Sequence, residues 1–149
     1  MSGLRLRPLT LILISALMVL SACQSSSGPK IVTSGAWGRS SSMMAKAEAV
    51  YVLIENQDKE SDRLVGASTT AAKTAEIHES YMDNGMMNMR QLENGLEIPA
   101  GSKVEFKPGG YHIMLIDLVK PLEIGDKITV MLKFERSGEI ALEVEIRAQ

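Results

Sequence analysis

Cysteine is almost absent from this chain of 149 residues, and its scarcity excludes several classes of protein. The single cysteine, Cys23, precedes the region in which a folded domain is predicted. A disulfide within the chain is therefore excluded, and the predicted domain has no thiolate with which to bind a metal. Blue-copper electron-transfer sites are excluded for the same reason, since they use a cysteine thiolate together with two histidines.

Excess positive charge and catalytic motifs are also missing. The chain has 16 basic and 18 acidic side chains, and without its two N-terminal arginines the balance is 14 to 18, a net charge of −4. The sequence therefore has no basic patch that would attract nucleic acid. It contains no recognisable Ser-His-Asp set, and both of its histidines belong to a pattern that indicates metal binding, so no enzymatic activity is expected.

Long apolar runs are limited to one segment near the N-terminus. Leu9–Leu20 is twelve residues long and follows two arginines. This is the arrangement of a signal peptide, and the run is too short to span a bilayer. The segment ends in Leu20-Ser21-Ala22-Cys23, which resembles a bacterial lipobox. We therefore predict that residues 1–22 are a lipoprotein signal peptide and that Cys23 carries lipid.

The predicted cleavage leaves a short tether and one domain. Residues 23–30 are polar and rich in serine, which is typical of a flexible lipid-anchored tether, and residues 31–149 are enough for one domain with its own core. We expect the protein to be anchored to a membrane of the cell envelope and to face the periplasm. Gln24 after the cysteine favours the outer membrane in a Gram-negative host. Secretory cleavage near Ala22 is the alternative, although it leaves an unpaired thiol in an oxidising compartment.

Alternating apolar and polar residues predict an all-β domain. Ile128–Phe134 and Ile140–Ile146 both alternate with period two, and Ser137-Gly138 between them suits a hairpin turn. Seven further strands are predicted at residues 31–37, 47–55, 63–68, 75–81, 86–92, 103–106 and 111–118. About nine short strands separated by frequent turn signals predict a β-sandwich or a Greek-key barrel. Only residues 41–49 are ambiguous, because they also suit a helical turn.

Both histidines of the chain lie among methionines. Ten residues separate His78 from Met89, 22 residues separate Met89 from His112, and Met114 follows two positions later. Thioether sulfur is a soft ligand that selects Cu(I) over oxygen-seeking cations, and imidazole also suits copper. Two imidazoles and two thioethers together offer a neutral, four-coordinate Cu(I) site. Because thioethers do not form disulfides, such a site also suits an oxidising compartment.

A hairpin turn predicts how the first histidine and its nearest methionines are placed. Asn84-Gly85 suits a two-residue turn between two strands. In that register Ser80 faces Met89, and His78 becomes a diagonal neighbour of Met89 on the same face, at a separation of roughly 7–8 Å. A slip of one residue would put the two side chains on opposite faces.

A structural explanation of these residues competes with metal binding. Methionine is a common core filler, and a lone histidine is more often a structural residue than a ligand. The joint occurrence of both histidines with four methionines between residues 82 and 89 favours a metal site. Three methionines are left open as auxiliary ligands, rim residues or core, with rim or core favoured: Met82, Met86 and Met87. For Met43 and Met44 a core or loop position is favoured over a metal ligand.

Several separate blocks of the sequence resemble one known family. In chain order they are Ala36-Trp37-Gly38-Arg39, Ala49-Val50-Tyr51, Ile54-Glu55-Asn56, residues 62–67, Glu76-Ile77-His78-Glu79, Met87-Asn88-Met89-Arg90, residues 95–101 and residues 107–115. The chain resembles the PCuAC-type periplasmic copper chaperones, whose pattern is His, ten residues, Met, about twenty-one residues and His-x-Met. The second interval is one residue longer here. The resemblance extends over residues 31–148.

The resemblance implies a fold, a ligand set and partners. It implies a cupredoxin-like β-sandwich or barrel that binds one Cu(I), with the ligands of the family falling on His78, Met89, His112 and Met114. It also implies delivery of copper to the dinuclear CuA centre of cytochrome c oxidase subunit II, often alongside a Sco-type thiol protein. We expect the protein to be a monomer.

Two other functions would use the same features. A lipid-anchored copper buffer or resistance protein without a dedicated client would use the same four ligands, although a single transferable site favours delivery. A metal-free structural lipoprotein would keep its function in a His112→Ala variant. Carboxylates beside the site are better explained as a solvated strand edge than as catalytic groups; these are Glu76, Glu79 and Asp83.

Overall fold

Ten β-strands form the part of the chain that the computed structural model describes, residues 30–148. The strands are β1 (Ile31–Arg39), β2 (Ala47–Asn56), β3 (Asp62–Thr69), β4 (Ala72–Asp83), β5 (Met86–Gln91), β6 (Leu96–Ile98), β7 (Lys103–Glu105), β8 (Tyr111–Leu118), β9 (Lys127–Phe134) and β10 (Gly138–Arg147). No helix in residues 30–148 is long and apolar enough to cross a membrane. The all-β prediction is confirmed.

Seven of the strands close into a barrel. Hydrogen bonding runs in the order β4, β8, β2, β1, β10, β9 and β3, and the pair Ala67 and Ala75 joins β3 back to β4. The remaining three strands extend this barrel: β5 pairs with β4, β6 with β3, and β7 with β2. All these pairs are antiparallel except that of β1 with β10. The sequence left a sandwich and a barrel open, and the structure is a barrel.

The barrel interior holds one hydrophobic core, supplied by alternate residues of each strand. In β9 the buried residues are Val130, Leu132 and Phe134, and in β10 they are Leu142, Val144 and Ile146. Successive side chains point to opposite faces of a strand, so the residues between these positions lie on the outside. The period-two alternation therefore identified the inner face of this hairpin correctly.

The structure refines two points that the sequence left approximate or open. Residues 30–148 contain ten strands, one more than the nine that the sequence indicated, because Leu96–Ile98 pairs with β3. This strand is three residues long and lies between the turn residues Gly95 and Pro99, so it shows no period that a sequence can reveal. Within the ambiguous residues 41–49, the chain makes a turn around Met43 and then enters β2 at Ala47; no helical turn forms there.

The predicted signal peptide and its lipidation site lie outside the described residues. This applies to residues 1–22, to Cys23 and to all of the predicted tether except Lys30. The described barrel begins at Ile31, where the predicted domain begins.

Candidate functional site

The β4–β5 hairpin has the register that its turn sequence predicts. His78 pairs with Gln91, Ser80 with Met89, and Met82 with Met87. Asn84 and Gly85 have φ angles of 48° and 80°, so both central residues of the turn are in the left-handed region that a type I′ turn requires. Asparagine and glycine tolerate this conformation best, and they thereby fix which side chains share a face with His78.

Strand β8 lies beside β4 and brings the second histidine to the first. His78 and His112 pair directly across the two strands, and their ring centroids are 5.7 Å apart. Met114 is two residues beyond His112 and therefore lies on the same face. That face is the outside of the barrel, since Ile113 and Leu115 on the opposite face are fully buried.

An open cleft of about 250 Å³ contains three of the four candidate ligands in its walls. It is lined by Arg39, Ala47, Glu48, Ala49, Tyr51, Ser80, Met89, Gly109, His112 and Met114. His78 stands at its side, with its ring next to that of His112. His112 is 4% exposed whereas Met89 is 58% exposed, so the candidate ligands run from the cleft floor to the surface. The structure thus brings the two segments of the sequence pattern together.

Hydrogen bonds orient both imidazole rings. The Nδ1 of His112 is 3.1 Å from the carbonyl oxygen of Gly110, which can only accept, so Nδ1 carries the proton and Nε2 has the free lone pair. The Nε2 of His78 lies 2.8 Å from Oε2 of Glu76, so in the neutral ring Nε2 donates and Nδ1 has the lone pair. Each histidine can therefore offer one nitrogen to a metal while an oxygen acceptor holds the other.

Burial favours the neutral form of His112. The pKa of His112 lies below its ordinary value of 6.5, chiefly because burial disfavours the imidazolium. The hydrogen bond to Gly110 opposes this shift, whereas the nearby His78 and Arg39 add to it. A neutral imidazole is the form that binds a metal.

Arg39 and Tyr51 line the cleft on the β1–β2 side, and Trp37 packs against Tyr51. The rings of Trp37 and Tyr51 have centroids 4.6 Å apart, and the Arg39 guanidinium lies 5.7 Å from the Tyr51 centroid. Burial, with a smaller contribution from Glu48, raises the pKa of the Tyr51 phenol against the opposing effect of Arg39. Burial also raises the pKa of Glu48.

A β-bulge places Trp37 and Arg39 on the cleft side. The register with β2 shifts between Ser34 and Trp37, and Gly35 within the shift has a φ of 62°. Before the bulge, the odd-numbered residue Ile31 packs towards the core. Beyond it, the even-numbered Gly38 faces the core, since a Cβ added there would contact core side chains. The extra residue therefore reverses which side chains face outward. No site role was predicted for this segment, and without the bulge both side chains would face inward.

The methionines left open by the sequence are on the surface. Met82, Met86 and Met87 are between 57% and 66% exposed, which excludes a core role and leaves a rim position or an auxiliary ligand role. Met43 and Met44 are 87% and 89% exposed and lie in the β1–β2 loop rather than in the core. Within residues 30–148, no three or more His, Cys, Asp or Glu side chains are grouped so that they could hold a metal ion. The candidate site instead combines two histidines with two methionine thioethers.

Comparisons with known proteins identify both a family and a fold. Residues 31–146 match the family described as "Putative lipoprotein LpqE-like". A relative named "Putative lipoprotein Lxx21020", from Leifsonia xyli subsp. xyli, is 36% identical over 99 residues, which are 66% of this chain and 60% of the relative. The chain therefore spans about 60% of the length of this curated relative.

Solved structures with the same fold include PCuAC domains. The copper-bound PCuAC domain from PmoF2 superimposes with a TM-score of 0.69 at 24% identity, over 83% of this chain and 97% of that one. The Cu(I) form of DR1885 from Deinococcus radiodurans gives a TM-score of 0.62 at 22% identity, over 87% of this chain and 84% of that one. The predicted cupredoxin-like fold and the resemblance to PCuAC domains are confirmed.

Proposed function

Because this chain belongs to the LpqE-like family and has the fold of PCuAC domains, we propose that it is an extracytoplasmic copper chaperone. It binds one Cu(I) through His78, Met89, His112 and Met114. The observation that carries this proposal is the convergence of two imidazoles and two thioethers on one cleft, from strands β4, β5 and β8. Copper is here a cargo, to be received and passed on.

The chemistry of these side chains suits Cu(I). Thioether sulfur is soft and imidazole is intermediate, and this combination favours a monovalent copper ion over Zn²⁺, Mg²⁺ or Ca²⁺. The free lone pairs belong to Nε2 of His112 and Nδ1 of His78, because their other nitrogens are held by Gly110 and Glu76. These hydrogen bonds orient both rings before copper arrives, which reduces the ordering needed on binding.

Exposure suggests the order of ligand exchange. Met89 is 58% exposed, Met114 is half-buried and His112 is almost fully buried. An incoming ligand therefore meets Met89 first and displaces it, while the buried histidine releases the ion last. No electron needs to move, since the ion stays Cu(I) as one ligand replaces another. Where the incoming ligand is a thiol, it binds as the thiolate and releases its proton.

The client and location follow from the resemblance. We propose that the protein delivers copper to the CuA site of cytochrome c oxidase subunit II, with a Sco-type thiol protein as a further partner. The family description supports a lipoprotein, so lipid on Cys23 would keep the donor at a membrane, facing the periplasm. Anchoring of this kind raises the effective concentration of donor at a membrane-bound acceptor. A lipid-anchored copper buffer is the alternative, because it needs the same ligands and no client.

Copper binding is tested by anaerobic Cu(I) titration and competition with a chromogenic chelator. We expect one tight equivalent in the wild type. His78→Ala and Met114→Ala should weaken it by roughly a hundredfold or more, since losing a residue that only supports a ligand already costs about 10–100-fold. Met43→Ala is the control, because it removes an exposed thioether from a loop. Binding that is indifferent to both ligand variants would contradict the proposal.

Delivery is tested by mixing the loaded protein with the apo form of the soluble CuA domain of subunit II, with and without a reduced Sco-type protein. Copper gained by the acceptor supports a chaperone. Retention of copper by the donor in both mixtures would favour the buffer.

A further inference from the structure

Exposed thioethers continue beyond the cleft along the β4–β5 hairpin. Met82 and Met87 are 61% and 57% exposed, although methionine is a residue that proteins usually bury. They lie near the end of an edge hairpin, since among the strands of residues 30–148 β5 pairs only with β4. Packing in the core therefore does not explain why these two residues are methionines.

The hairpin register places these two sulfurs together. Met82 pairs directly with Met87, one pair before the closing pair of Asp83 and Met86. Pairs alternate along an antiparallel ladder, and the closing pair of a two-residue hairpin is hydrogen-bonded. Met82 and Met87 then form a non-hydrogen-bonded pair, whose Cα atoms stand about 4.5 Å apart and whose side chains come closest.

The same register connects the pair to the cleft. Met87 and Met89 are two residues apart in β5 and therefore share a face. Met89 lies in the cleft wall with His112 and Met114. The three thioethers thus form a row from the end of the hairpin to the cleft, with Met87 as the neighbour of both other members. The type I′ turn at Asn84 and Gly85 fixes this register.

We propose that Met82 and Met87 form a second, weaker Cu(I) site through which copper enters the cleft. The inference rests on the proposed function and deepens it. Two neutral thioethers select Cu(I) but hold it loosely, which suits an entry site. In transfer, the bonds from copper to the sulfurs of Met82 and Met87 break as the bond to the Met89 sulfur forms. The ion stays Cu(I) throughout, and no proton is exchanged.

The test uses methionine methyl groups as reporters. The full chain is labelled with ¹³C at the methionine methyls, purified in detergent and titrated anaerobically with Cu(I) supplied as its acetonitrile complex. We expect the Met89 and Met114 signals to move with the first equivalent and those of Met82 and Met87 with further copper. Signals of Met43 and Met44 should not move, although these side chains are more exposed.

A pair of double variants separates copper binding from apolar contact. Met82→Leu with Met87→Leu removes both sulfurs and keeps the apolar surface. In stopped-flow measurements, copper should load into the cleft of this variant roughly tenfold more slowly or worse. The reason is that a neighbouring site raises the effective copper concentration to about the millimolar range. The equilibrium affinity of the first equivalent should stay the same. Met43→Leu with Met44→Leu, which removes two exposed sulfurs elsewhere, should change neither quantity.

The outcomes distinguish the two proposals. Shifts at Met89 and Met114 without shifts at Met82 and Met87 would overturn the entry site and leave the proposed function intact. An unchanged loading rate in the Met82/Met87 double variant would also overturn it, and would indicate that the exposed thioethers serve an apolar contact instead. Absence of shifts at Met89 and Met114 would contradict the proposed function itself.

Discussion

The two histidines at the candidate site are held differently, and the difference gives them different roles. His112 is almost fully buried and donates Nδ1–H to a backbone carbonyl, whose position is fixed by the barrel. His78 is more exposed, and its partner is the side chain of Glu76, which can move with it. We infer that His112 anchors the copper and that His78 adjusts to arrival and release.

Arg39 places a positive charge in the wall of a cleft that is proposed to take a cation. Its charge already disfavours protonation of His112, so it should disfavour Cu(I) there as well. We predict that Arg39→Gln strengthens Cu(I) binding by about 1 kcal/mol, or roughly fivefold, which is the scale of a partly screened charge pair. Competition with a chelator measures this change.

Arg39→Lys is the matched control for that prediction. Lysine keeps the charge but loses the planar contact with the Tyr51 ring. Its copper affinity should therefore stay close to that of the wild type. If lysine and glutamine strengthened binding equally, the ring contact rather than the charge would be the cause.

At the scale of the element, the β4–β5 hairpin is the part of the site that the sequence predicted best. A two-residue Asn-Gly turn permits one register, and one register determines which side chains share a face. The bulge in β1 could not be predicted from the sequence, because the effect of Gly35 depends on how β1 pairs with β2. The place of Arg39 in the cleft wall was consequently missed.

The turn of this hairpin can be tested through copper binding. Gly85 has a φ of 80° and a Cβ there would meet nothing within 4 Å, so Gly85→Ala adds backbone strain alone. The strain amounts to about 1–2 kcal/mol and should loosen the register that holds Met89 at the cleft. We expect weaker Cu(I) binding and faster amide hydrogen exchange in β5, with the barrel strands unchanged.

Gly138 offers a control of the same kind in another turn. It has a φ of 72° and open space around its Cβ position, but it belongs to the β9–β10 hairpin, whose strands supply no residue of the cleft. Gly138→Ala should lower stability by a similar amount and leave copper affinity unchanged. Equal loss of affinity in both variants would show that general destabilisation explains the effect.

At the scale of the whole molecule, the sequence predicted every strand except the short β6 but not their order around the barrel. Alternation within β9 and β10 identified the inner residues, since burial repeats every second residue. The pairing of His78 with His112 depends on β8 inserting between β4 and β2, which are far from it in sequence. Nothing local to either histidine specifies that neighbour, so its position came only from the structure.

Asp62 links distant parts of the barrel and should make its stability depend on pH. Its side chain is 3% exposed and accepts hydrogen bonds from the backbone amides of Arg63, Arg136 and Ser137 and from the Ser137 hydroxyl. Burial alone would raise the pKa of this carboxyl, but the four hydrogen bonds together outweigh burial and hold the pKa below its ordinary value of 3.8.

The lowered pKa of Asp62 determines how the stability of the barrel changes with pH. A carboxylate with a depressed pKa contributes stability above its unfolded pKa and loses that contribution as the pH falls through the folded pKa. We predict that Asp62→Asn lowers the free energy of unfolding by about 2 kcal/mol at pH 7, since hydrogen bonds to a charged acceptor are the stronger kind. The difference between wild type and variant should shrink as the pH falls below 3.8.

Thermal unfolding followed by circular dichroism between pH 7 and pH 2 measures that difference. Asp117→Asn is the control, because the Asp117 side chain is half exposed and its φ of 57° is one that asparagine also adopts. The control should change stability little at neutral pH. A difference between wild type and Asp62→Asn that stayed constant down to pH 2 would mean that Asp62 stabilises the barrel through its shape rather than its charge.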